Sequence, residues 1–344
     1  MIPHSKIALD EEDIAAVIKV LRSGQLAQGR VVSSLEEKSA SLIGVKHAAA
    51  VSSGSAALHL SLIALGIDEK SEVILPSYVC TALVNAINYL RATPVLVDID
   101  PHTFNSTGES IKGAITDNTK AVIVPHMFGL PADIESIVPL GIPVIEDCAH
   151  SIGATVNGRK AGSFGLVSIL SFYATKMLGA GEGGMVLSND RGLIETIKDL
   201  RDYDEKEDYR VRFNYKLTDI QAALAATRLS KLPEFIDKRK KIAAIYNRGL
   251  ERVGVGLPEE PEGREHIYYR YVILVENSAQ FMHEMLKKGI ECRRPVFKPL
   301  HRYLSQSGYP LTDEVWERAV SIPIYPSLTV EEAHRIVDAI KMII

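Results

Sequence analysis

Short apolar runs alternate with segments of helical hydrophobic spacing through the first two hundred residues. The runs predict strands at 48–51, 73–75, 94–97, 121–124, 143–145, 166–172 and 185–187. The other segments predict helices at 10–22, 31–43, 56–65, 78–90 and 132–138. Such alternation is typical of a mostly parallel sheet with helices on both faces. The predicted fold class is therefore α/β, with a three-layer large domain.

The second part of the chain predicts a helical connection and a smaller domain. Thr218 and Gln221 form a capping-box pattern that opens a long helix, which Pro233 interrupts. A stretch rich in Gly, Pro and Glu follows. Beyond it, the pattern predicts a strand at 268–275, a helix at 279–288, a possible strand at 291–295 and a final helix at 330–342. We expect a large domain over 1–250 and a small α+β domain over 251–344.

Polar side chains stand where the predicted strands end: Ser77, Tyr78, Asp98, His126 and Asp147. Ligands of parallel sheets bind at this edge. Upstream, the strand at 48–51 leads through a Ser- and Gly-containing turn into a helix. Backbone N–H groups at such a helix start favour a phosphate, although Ser and Gly also cap helices where no ligand binds.

Lys176 lies in a turn of small residues directly after the apolar run 166–172. A lysine beside a buried element loses solvation, which favours the neutral amine. That amine can form a Schiff base with an aldehyde cofactor such as pyridoxal phosphate, whereas a lone lysine in a turn is more often a surface residue. A formal GxGxxG pattern begins at Gly179, but a dinucleotide site needs a helix after it. The run 185–187 predicts a strand, so these glycines indicate close backbone packing near the lysine.

Asp147 ends a predicted buried strand, where a carboxylate is costly without a cationic partner. A pyridinium N–H would be such a partner, although an Asp here can also cap the next turn. The neighbouring Glu146 should point to the opposite side of the strand. His150 can lie beside the same ring, or serve as a structural hydrogen-bonding residue.

Composition narrows the class of protein. Of 344 residues, 46% are hydrophobic and 24% charged, and the net charge of −4 argues against an electrostatic nucleic-acid binder. No apolar run is long enough to span a bilayer, and the N-terminus lacks signal-peptide features. The three cysteines are scattered without metal spacing, which predicts reduced thiols in a cytoplasmic protein with no zinc site or disulfide.

Taken together, these residues and the motifs around them resemble the DegT/StrS-type family of sugar aminotransferases, which are pyridoxal-phosphate enzymes of fold type I. The likeness covers nearly the whole chain. The motifs that carry it are SSGSAALHL at 52–60, PSY at 76–78, FGLPAD at 128–133, EDCAHSIGA at 146–154, SFYATKMLGAGEGG at 171–184, FNYKLTDIQAA at 213–223, KPLH at 298–301 and IPIYPSLT at 322–329.

The resemblance implies a role for each matching residue. Lys176 would carry the Schiff base and move the substrate proton, Asp147 would pair with the pyridine nitrogen, and His150 would lie near the ring. The remaining implied cofactor contacts are Gly54, Ser55, Ala56, Cys80, Ser171 and Asn214. Asn214 resembles an asparagine that reaches the phosphate of a neighbouring subunit, which implies a homodimer with shared sites. The implied substrate contacts are Lys216, His301 and Tyr325.

The sequence departs from the family pattern at three positions. Cys80 stands where many members have an aromatic residue over the ring, Phe213 where glycine is usual, and Lys216 where arginine is frequent. If Cys80 faces the ring, it offers a smaller and softer contact. It can equally be a buried core residue.

We therefore predict an aminotransferase that moves an amino group from an amino acid, with glutamate expected, to a keto-sugar, with a nucleotide-linked 4-keto-6-deoxyhexose expected. The alternatives are transamination of a ketocyclitol or another cyclic ketone, and a cofactor-binding regulatory protein without turnover. A dehydratase on the same fold would have histidine in place of Lys176.

Overall fold

A seven-stranded sheet forms the centre of the chain in the computed structural model, which describes residues 1–344. Its strand order is β1-β9-β8-β5-β4-β2-β3, and only β9 runs against the others. The strands of this sheet are β1 (His47–Val51), β2 (Glu72–Pro76), β3 (Thr93–Val97), β4 (Thr119–Pro125), β5 (Val144–Asp147), β8 (Val167–Ser171) and β9 (Gly184–Ser188). The prediction of a mostly parallel sheet in an α/β fold is confirmed.

Helices cover both faces of this sheet. Ala49 and Val51 of β1 belong to one apolar cluster and Ala48 and Ala50 to another, because successive strand side chains point to opposite faces. The helices up to residue 250 are α1 (Glu11–Ser23), α2 (Arg30–Ile43), α3 (Gly54–Ala64), α4 (Thr81–Asn88), α5 (Gly108–Lys112), α6 (Ile134–Ile137), α7 (Arg191–Leu200), α8 (Asp219–Ser230) and α9 (Leu232–Leu250). A small hairpin pairs β6 (Thr155–Val156) with β7 (Arg159–Lys160).

A second, two-stranded sheet pairs β10 (Tyr271–Leu274) with β11 (Ala319–Ile322). The helices around it are α10 (Ser278–Lys287), α11 (Leu300–Tyr303), α12 (Pro310–Arg318) and α13 (Val330–Lys341). Its apolar cluster also takes in Ile2 and the α9 residues Tyr246 and Leu250. The second core thus draws on residues from both sides of position 250, and the boundary between 250 and 251 stays a prediction.

Several element boundaries differ from the predicted ones. The helix expected from residue 78 begins at Thr81, since Ser77 and Tyr78 continue from β2 into a buried turn. The strand expected at 291–295 is a single bridge from Arg293 to Ser321. The predicted capping box is confirmed, because Thr218 accepts a hydrogen bond from the Gln221 N–H and the Gln221 side chain faces back to Thr218. No helix combines the length and the hydrophobicity that crossing a bilayer requires.

Glu146 is a completely buried carboxylate that ties the central strands to a neighbouring loop. Its oxygens accept hydrogen bonds from the N–H groups of Gly162 at 2.7 Å, Phe164 at 2.7 Å and Gly165 at 2.6 Å, and from His126 Nε2 at 3.0 Å. His126 Nδ1 accepts from the Ala132 N–H, so the ring proton lies on Nε2. Burial raises the pKa of Glu146, but these hydrogen bonds outweigh it and hold the pKa below its ordinary value.

Replacing Glu146 with Gln should destabilise the protein on the order of 2–4 kcal/mol, because an amide has one acceptor oxygen for four donors. Glu146 has a lowered pKa in the folded state, so its contribution is present above the pKa of an unfolded glutamate and is lost as the pH falls through the folded value. The difference in unfolding free energy, measured by urea at pH 7 and again at acidic pH, should therefore shrink on acidification. The exposed Glu37→Gln is the matched control, and equal effects of the two substitutions would contradict this account.

Candidate active site

The carboxyl ends of three adjacent strands bring polar residues to one edge of the sheet. Ser171 ends β8, Asp147 ends β5, and His126 directly follows β4. In the paired registers, Asp147 lies beside Pro125 on one side and Ile169 on the other. The expectation that this edge carries polar residues is confirmed for His126 and Asp147. Asp98 instead caps the start of α12, where it accepts from the Thr312 N–H at 2.8 Å.

A cavity of about 360 Å³ opens at this edge, and we call it the main cavity. Seven residues predicted from the sequence line it: Gly54, Ser55, Cys80, Asp147, His150, Ser171 and Lys176. One wall is apolar and comprises Val79, Ala82, Leu83, Met127, Pro295, Val296 and Phe297. The volume falls in the range of small-molecule sites.

Asp147 points into the main cavity, whereas its neighbour Glu146 faces the interior network. The Ala149 N–H donates to Asp147 Oδ1 at 3.0 Å, and no other hydrogen bond reaches this carboxylate. Burial raises the pKa of Asp147. An under-satisfied carboxylate of this kind favours a cationic or N–H partner in the cavity.

The N-terminus of α3 also lines the main cavity and has the features of an anion site. Gly54 and Ser55 line it, and the Ser55 hydroxyl makes no hydrogen bond within the protein. Ala56 lies just outside, because its N–H donates to the capping Ser53 Oγ at 3.0 Å. Gly54 packs against Ser171, where an added Cβ would lie 3.1 Å from the serine Cβ. The free hydroxyl and the helix N-terminus together favour a phosphate.

Lys176 lies in a tight turn between β8 and β9, where its N–H donates to the Tyr173 carbonyl at 2.8 Å. Its side chain is half-buried, lines the main cavity and has no ion-pair partner. The turn is closely packed, since a Cβ on Gly179 would lie 2.1 Å from the Ala174 carbonyl oxygen. The prediction of close backbone packing is confirmed for Gly179 and for Gly184, where a Cβ would meet the Ser53 carbonyl oxygen, but not for Gly181, which has open space around it and a φ of +85°.

Tyr269 and Arg270 are site residues that the sequence pattern did not reveal. Lys176 Nζ lies 5.2 Å from the centre of the Tyr269 ring, and the ring stacks on His150 with centroids 4.4 Å apart. Arg270 lines the main cavity. Gly129 has a φ of +105°, and a Cβ there would meet the Tyr269 nitrogen at 2.8 Å, so this glycine lets the segment approach the sheet edge.

Charge and burial set the protonation of the two stacked rings. Burial, followed by the positive charges of Lys176 and Arg270, holds the pKa of His150 well below its ordinary value, so the ring is neutral. Burial raises the pKa of the Tyr269 phenol, but Lys176, Arg270 and Arg239 outweigh it and lower the pKa to about 8. One sequence feature could have identified this part of the site. Arg270 is a charged residue within an otherwise apolar predicted strand, next to Tyr269.

Cys80 is exposed and lines the main cavity at the start of α4. The alternative that it is a core residue is therefore wrong, since the turn after β2 directs Val79 and Cys80 to the cavity. Tyr78 is fully buried beside Phe104 and Phe128 and lies outside the cavity. Although Cys80 is exposed at the cavity, the protein around its thiol removes part of the water, and this desolvation raises the pKa of the thiol.

Besides Ala56, four predicted residues lie outside the main cavity. Asn214 is exposed, and Lys216 pairs with Asp202 at 2.6 Å. His301 is buried, with Nδ1 2.7 Å from Ser77 Oγ and Nε2 3.1 Å from Asp313 Oδ1. Tyr325 is buried beside a small pocket behind the lysine turn. Their functional roles stay predictions.

One buried cluster has the elements of a metal site. Potential ligand atoms of His126, Glu146 and Cys148 lie within 4.8 Å of one another. The Glu146 oxygens and His126 Nε2 already bond to each other and to backbone N–H groups. The cluster therefore serves as a hydrogen-bond network that supports the cavity.

Comparison with known proteins gives one consistent result. The model of the DegT/DnrJ/EryC1/StrS aminotransferase family matches residues 7–341. The chain is 34% identical to UDP-N-acetyl-3-dehydro-alpha-D-glucosamine 3-aminotransferase from Acidithiobacillus ferrooxidans, over 97% of this chain and 94% of the relative. It is also 34% identical to GDP-perosamine synthase from Escherichia coli O157:H7, over 92% and 90% of the two chains.

A solved structure gives the same result. DesV from S. venezuelae, determined in complex with a ketimine intermediate, has 31% identity and a TM-score of 0.92 over 96% of this chain and 94% of its own. The matching family depends on pyridoxal phosphate. The similarity to this structure therefore extends over the whole fold and is not limited to one domain.

A thiol reagent such as iodoacetamide should modify Cys80 before the other two cysteines, because only Cys80 is exposed while Cys148 and Cys292 are buried. The reaction should need alkaline pH, since desolvation by the surrounding cavity residues raises the pKa of this thiol. Peptide mass spectrometry locates the adduct. Pyridoxal phosphate added beforehand should slow labelling of Cys80, and unchanged labelling would mean that Cys80 lies away from the bound group. Cys80→Ala should abolish the early label.

Proposed function

The chain belongs to the DegT/DnrJ/EryC1/StrS aminotransferase family, and we propose that it transfers an amino group from glutamate to a nucleotide-linked 4-keto-6-deoxy sugar, with pyridoxal 5′-phosphate as its cofactor. The observation that carries this proposal is the meeting of Lys176, Asp147 and the α3 N-terminus in one cavity. Each of these three would bind a different chemical group of that cofactor.

The main cavity fits pyridoxal phosphate by the chemistry of its lining. The phosphate would be held at Gly54, Ser55 and Ser171, where the unbonded Ser55 hydroxyl is available. Asp147 would accept a hydrogen bond from the pyridine nitrogen with the carboxylate oxygen that has no protein donor. When bound, the cofactor supplies an electron sink that stabilises negative charge on the substrate carbon.

Three side chains would carry the chemistry. Lys176 has an unpaired amine that lines the cavity, so Nζ would hold the cofactor and, once the donor's amino group has displaced it, would take up the proton of the donor's amino-bearing carbon. The Asp147 carboxylate would keep the pyridine nitrogen protonated. Neutral His150 would pack against the cofactor without adding charge, with Tyr269 stacked behind it.

The apolar wall supports a deoxy sugar as the acceptor. Val79, Leu83, Val296 and Phe297 present hydrocarbon surface to the cavity and no hydroxyl group. A sugar carbon that lacks its hydroxyl can contact such a wall without leaving a buried polar group unpaired. The relative named GDP-perosamine synthase supports a nucleotide-linked sugar.

A second candidate is a nucleotide-linked 3-keto N-acetyl sugar. It is favoured by the equal identity, 34%, to the relative named as a UDP-N-acetyl-3-dehydro-alpha-D-glucosamine 3-aminotransferase. The two candidates differ in the carbon that is aminated. The test is to load the protein with pyridoxal phosphate and glutamate, add each keto-sugar in turn, and identify the amino-sugar by mass spectrometry. Amination of neither sugar would contradict the proposal.

We further propose a homodimer whose sites draw on both chains. Asn214 is exposed and lies outside the main cavity of its own chain, although it belongs to a motif of the family pattern. A residue placed in this way is available to the cavity of a second copy. Phe213 beside it stacks on Tyr215 at 4.9 Å, and this stack holds the segment that presents the asparagine.

Borohydride treatment of the cofactor-loaded protein should fix the cofactor on Lys176, because this amine lines the cavity without an ion-pair partner. Lys176→Ala should lose at least about a thousandfold in turnover, as expected when a nucleophile and proton carrier is removed. It should unfold at a similar temperature, since the side chain lies in a turn. Peptide mapping after reduction locates the adduct. An adduct on another lysine would refute the assignment.

Mixed dimers test the shared site. An inactive Lys176→Ala chain combined with an inactive Asn214→Asp chain should regain activity, because one of the two sites in each mixed dimer then carries neither change. The yield expected is about half the activity per mixed dimer, by counting sites. Asn189→Asp, at an asparagine next to the turn before α7, is the control substitution. No recovery in mixed dimers that demonstrably form would place Asn214 in the site of its own chain.

A further inference from the structure

His59 is a buried polar residue that no step of the proposed reaction uses. It lies in α3, four residues after Ser55, and is 6% exposed. Residues four apart are neighbours on one side of a helix, so the imidazole lies one turn below the anion site. Burial lowers the pKa of His59, and its ring is therefore neutral at neutral pH. An imidazole is costlier to bury than a hydrocarbon side chain, so its contacts need an explanation.

Three aromatic rings surround this imidazole, and we call the four rings the aromatic cluster. The ring centroids of Phe213 and Tyr89 lie 5.0 Å and 5.3 Å from that of His59, both in edge-to-face arrangement. The Tyr215 centroid lies 6.1 Å away, and its phenol oxygen is 3.4 Å from His59 Nδ1. Phe213 and Tyr215 stack on each other with an interplanar angle of 15°. His59 thus contacts both sequence neighbours of Asn214.

The backbone on both sides of Asn214 is held as well as the rings. The N–H groups of Phe213 and Tyr215 donate to two successive carbonyls at the end of α7, at 2.8 Å and 2.9 Å. The Tyr215 carbonyl accepts from the Ser52 N–H at 2.7 Å, just before the turn that leads into α3. Asn214 itself makes none of these bonds and is exposed. The segment therefore projects one free amide side chain from a fixed backbone.

The need to fill the protein interior does not account for the aromatic cluster. Phe213 and Tyr215 are only partly buried, and Tyr89 is 61% exposed. Phe213 also stands where the family pattern usually has glycine. A glycine before Asn214 would leave the backbone there free to adopt many conformations, whereas a phenylalanine that stacks on its neighbours restricts them. The aromatic cluster thus fixes a surface segment.

We propose that His59 is a positioning residue, which orients Asn214 toward the phosphate site of a second copy through the rings of Phe213 and Tyr215. This inference rests on the proposed homodimer, in which Asn214 acts across the interface. A side chain that is already held in its binding orientation loses less freedom when it meets a ligand, so the cofactor binds more tightly. Helix α3 then serves two sites, its own through Ser55 and that of the second copy through His59.

A double-mutant cycle on cofactor affinity tests this role without turnover. Pyridoxal phosphate is titrated into the cofactor-free dimer and followed by its absorbance. Asn214→Ala should weaken binding about 10- to 100-fold, the range for a lost hydrogen bond to a charged group. His59→Ala should weaken it about 3- to 10-fold, the range for a lost aromatic contact. The double variant should match Asn214→Ala alone, because His59 acts through that asparagine, and additive losses would overturn the proposal.

Three further variants separate positioning from stability. Phe213→Gly changes a partly buried residue and should reproduce the loss of His59→Ala, even if His59→Ala itself does not fold. His59→Phe keeps the ring contacts and should bind like the wild type. Tyr209→Gly removes a 95% exposed aromatic residue from the same connection between α7 and α8, and as the control it should change nothing. Lower stability of Phe213→Gly with unchanged cofactor affinity would mean that the aromatic cluster serves the fold alone, and the proposal would be wrong.

Mixed dimers show which of the two sites His59 supports. A Lys176→Ala chain is paired with a chain that keeps Lys176, so borohydride can fix the cofactor only at the intact lysine. His59→Ala in the Lys176→Ala chain should raise the cofactor concentration for half-maximal labelling about 3- to 10-fold. The same substitution in the chain that keeps Lys176 should leave this concentration unchanged. The opposite pattern would overturn the proposal, since His59 would then act on the anion site of its own helix.

Failure of the proposed function has a different appearance. Wild-type protein that takes up the cofactor at Lys176 but aminates no keto-sugar would contradict the proposed reaction and leave the positioning role of His59 in place. Wild-type affinity in Asn214→Ala would refute the shared site and this inference together.

Discussion

The Glu146 carboxylate accepts hydrogen bonds from two parts of the chain that are otherwise held apart, the end of β4 and the loop at 162–165. It lies in the middle strand of the sheet with no access to water. A charge in that position is tolerated only because every acceptor direction is occupied by a donor. The adjacent Asp147 is thereby fixed with its side chain facing the cavity, and the site depends on this backbone position.

Much of the fold was predictable because the signals were local. The strands of the main sheet are short, mostly buried and mainly apolar, with the edge strand β3 only partly buried, and each was expected within a few residues of its observed range. Lys176 and Asp147 were recognisable because their types are unusual next to such strands. The helix α7 was not predicted, although its apolar residues recur at helical spacing between charged ones.

The parts of the site that were missed depend on long-range packing. Tyr269 and Arg270 continue the alternating pattern of β10, so the sequence alone places them in a strand. In the structure, the strand begins at Tyr271, and the residues before it bend toward the loop at Gly129. Nothing local in the sequence records that contact. His301, singled out by its motif, is instead enclosed between Ser77 and Asp313.

The single antiparallel strand, β9, also has a consequence for how the protein acquires its site. β1 pairs with no strand except β9, which is more than a hundred residues away along the chain. Pairing of such distant segments is slow, because the loop between them must close before any contact stabilises it. The end of the cavity lined by Gly54 and Ser55 follows directly after β1, so it takes shape only once residues near 188 have left the ribosome. We expect the anion site to be among the last features of the large sheet to form during synthesis, with cofactor capture marking completion of that sheet.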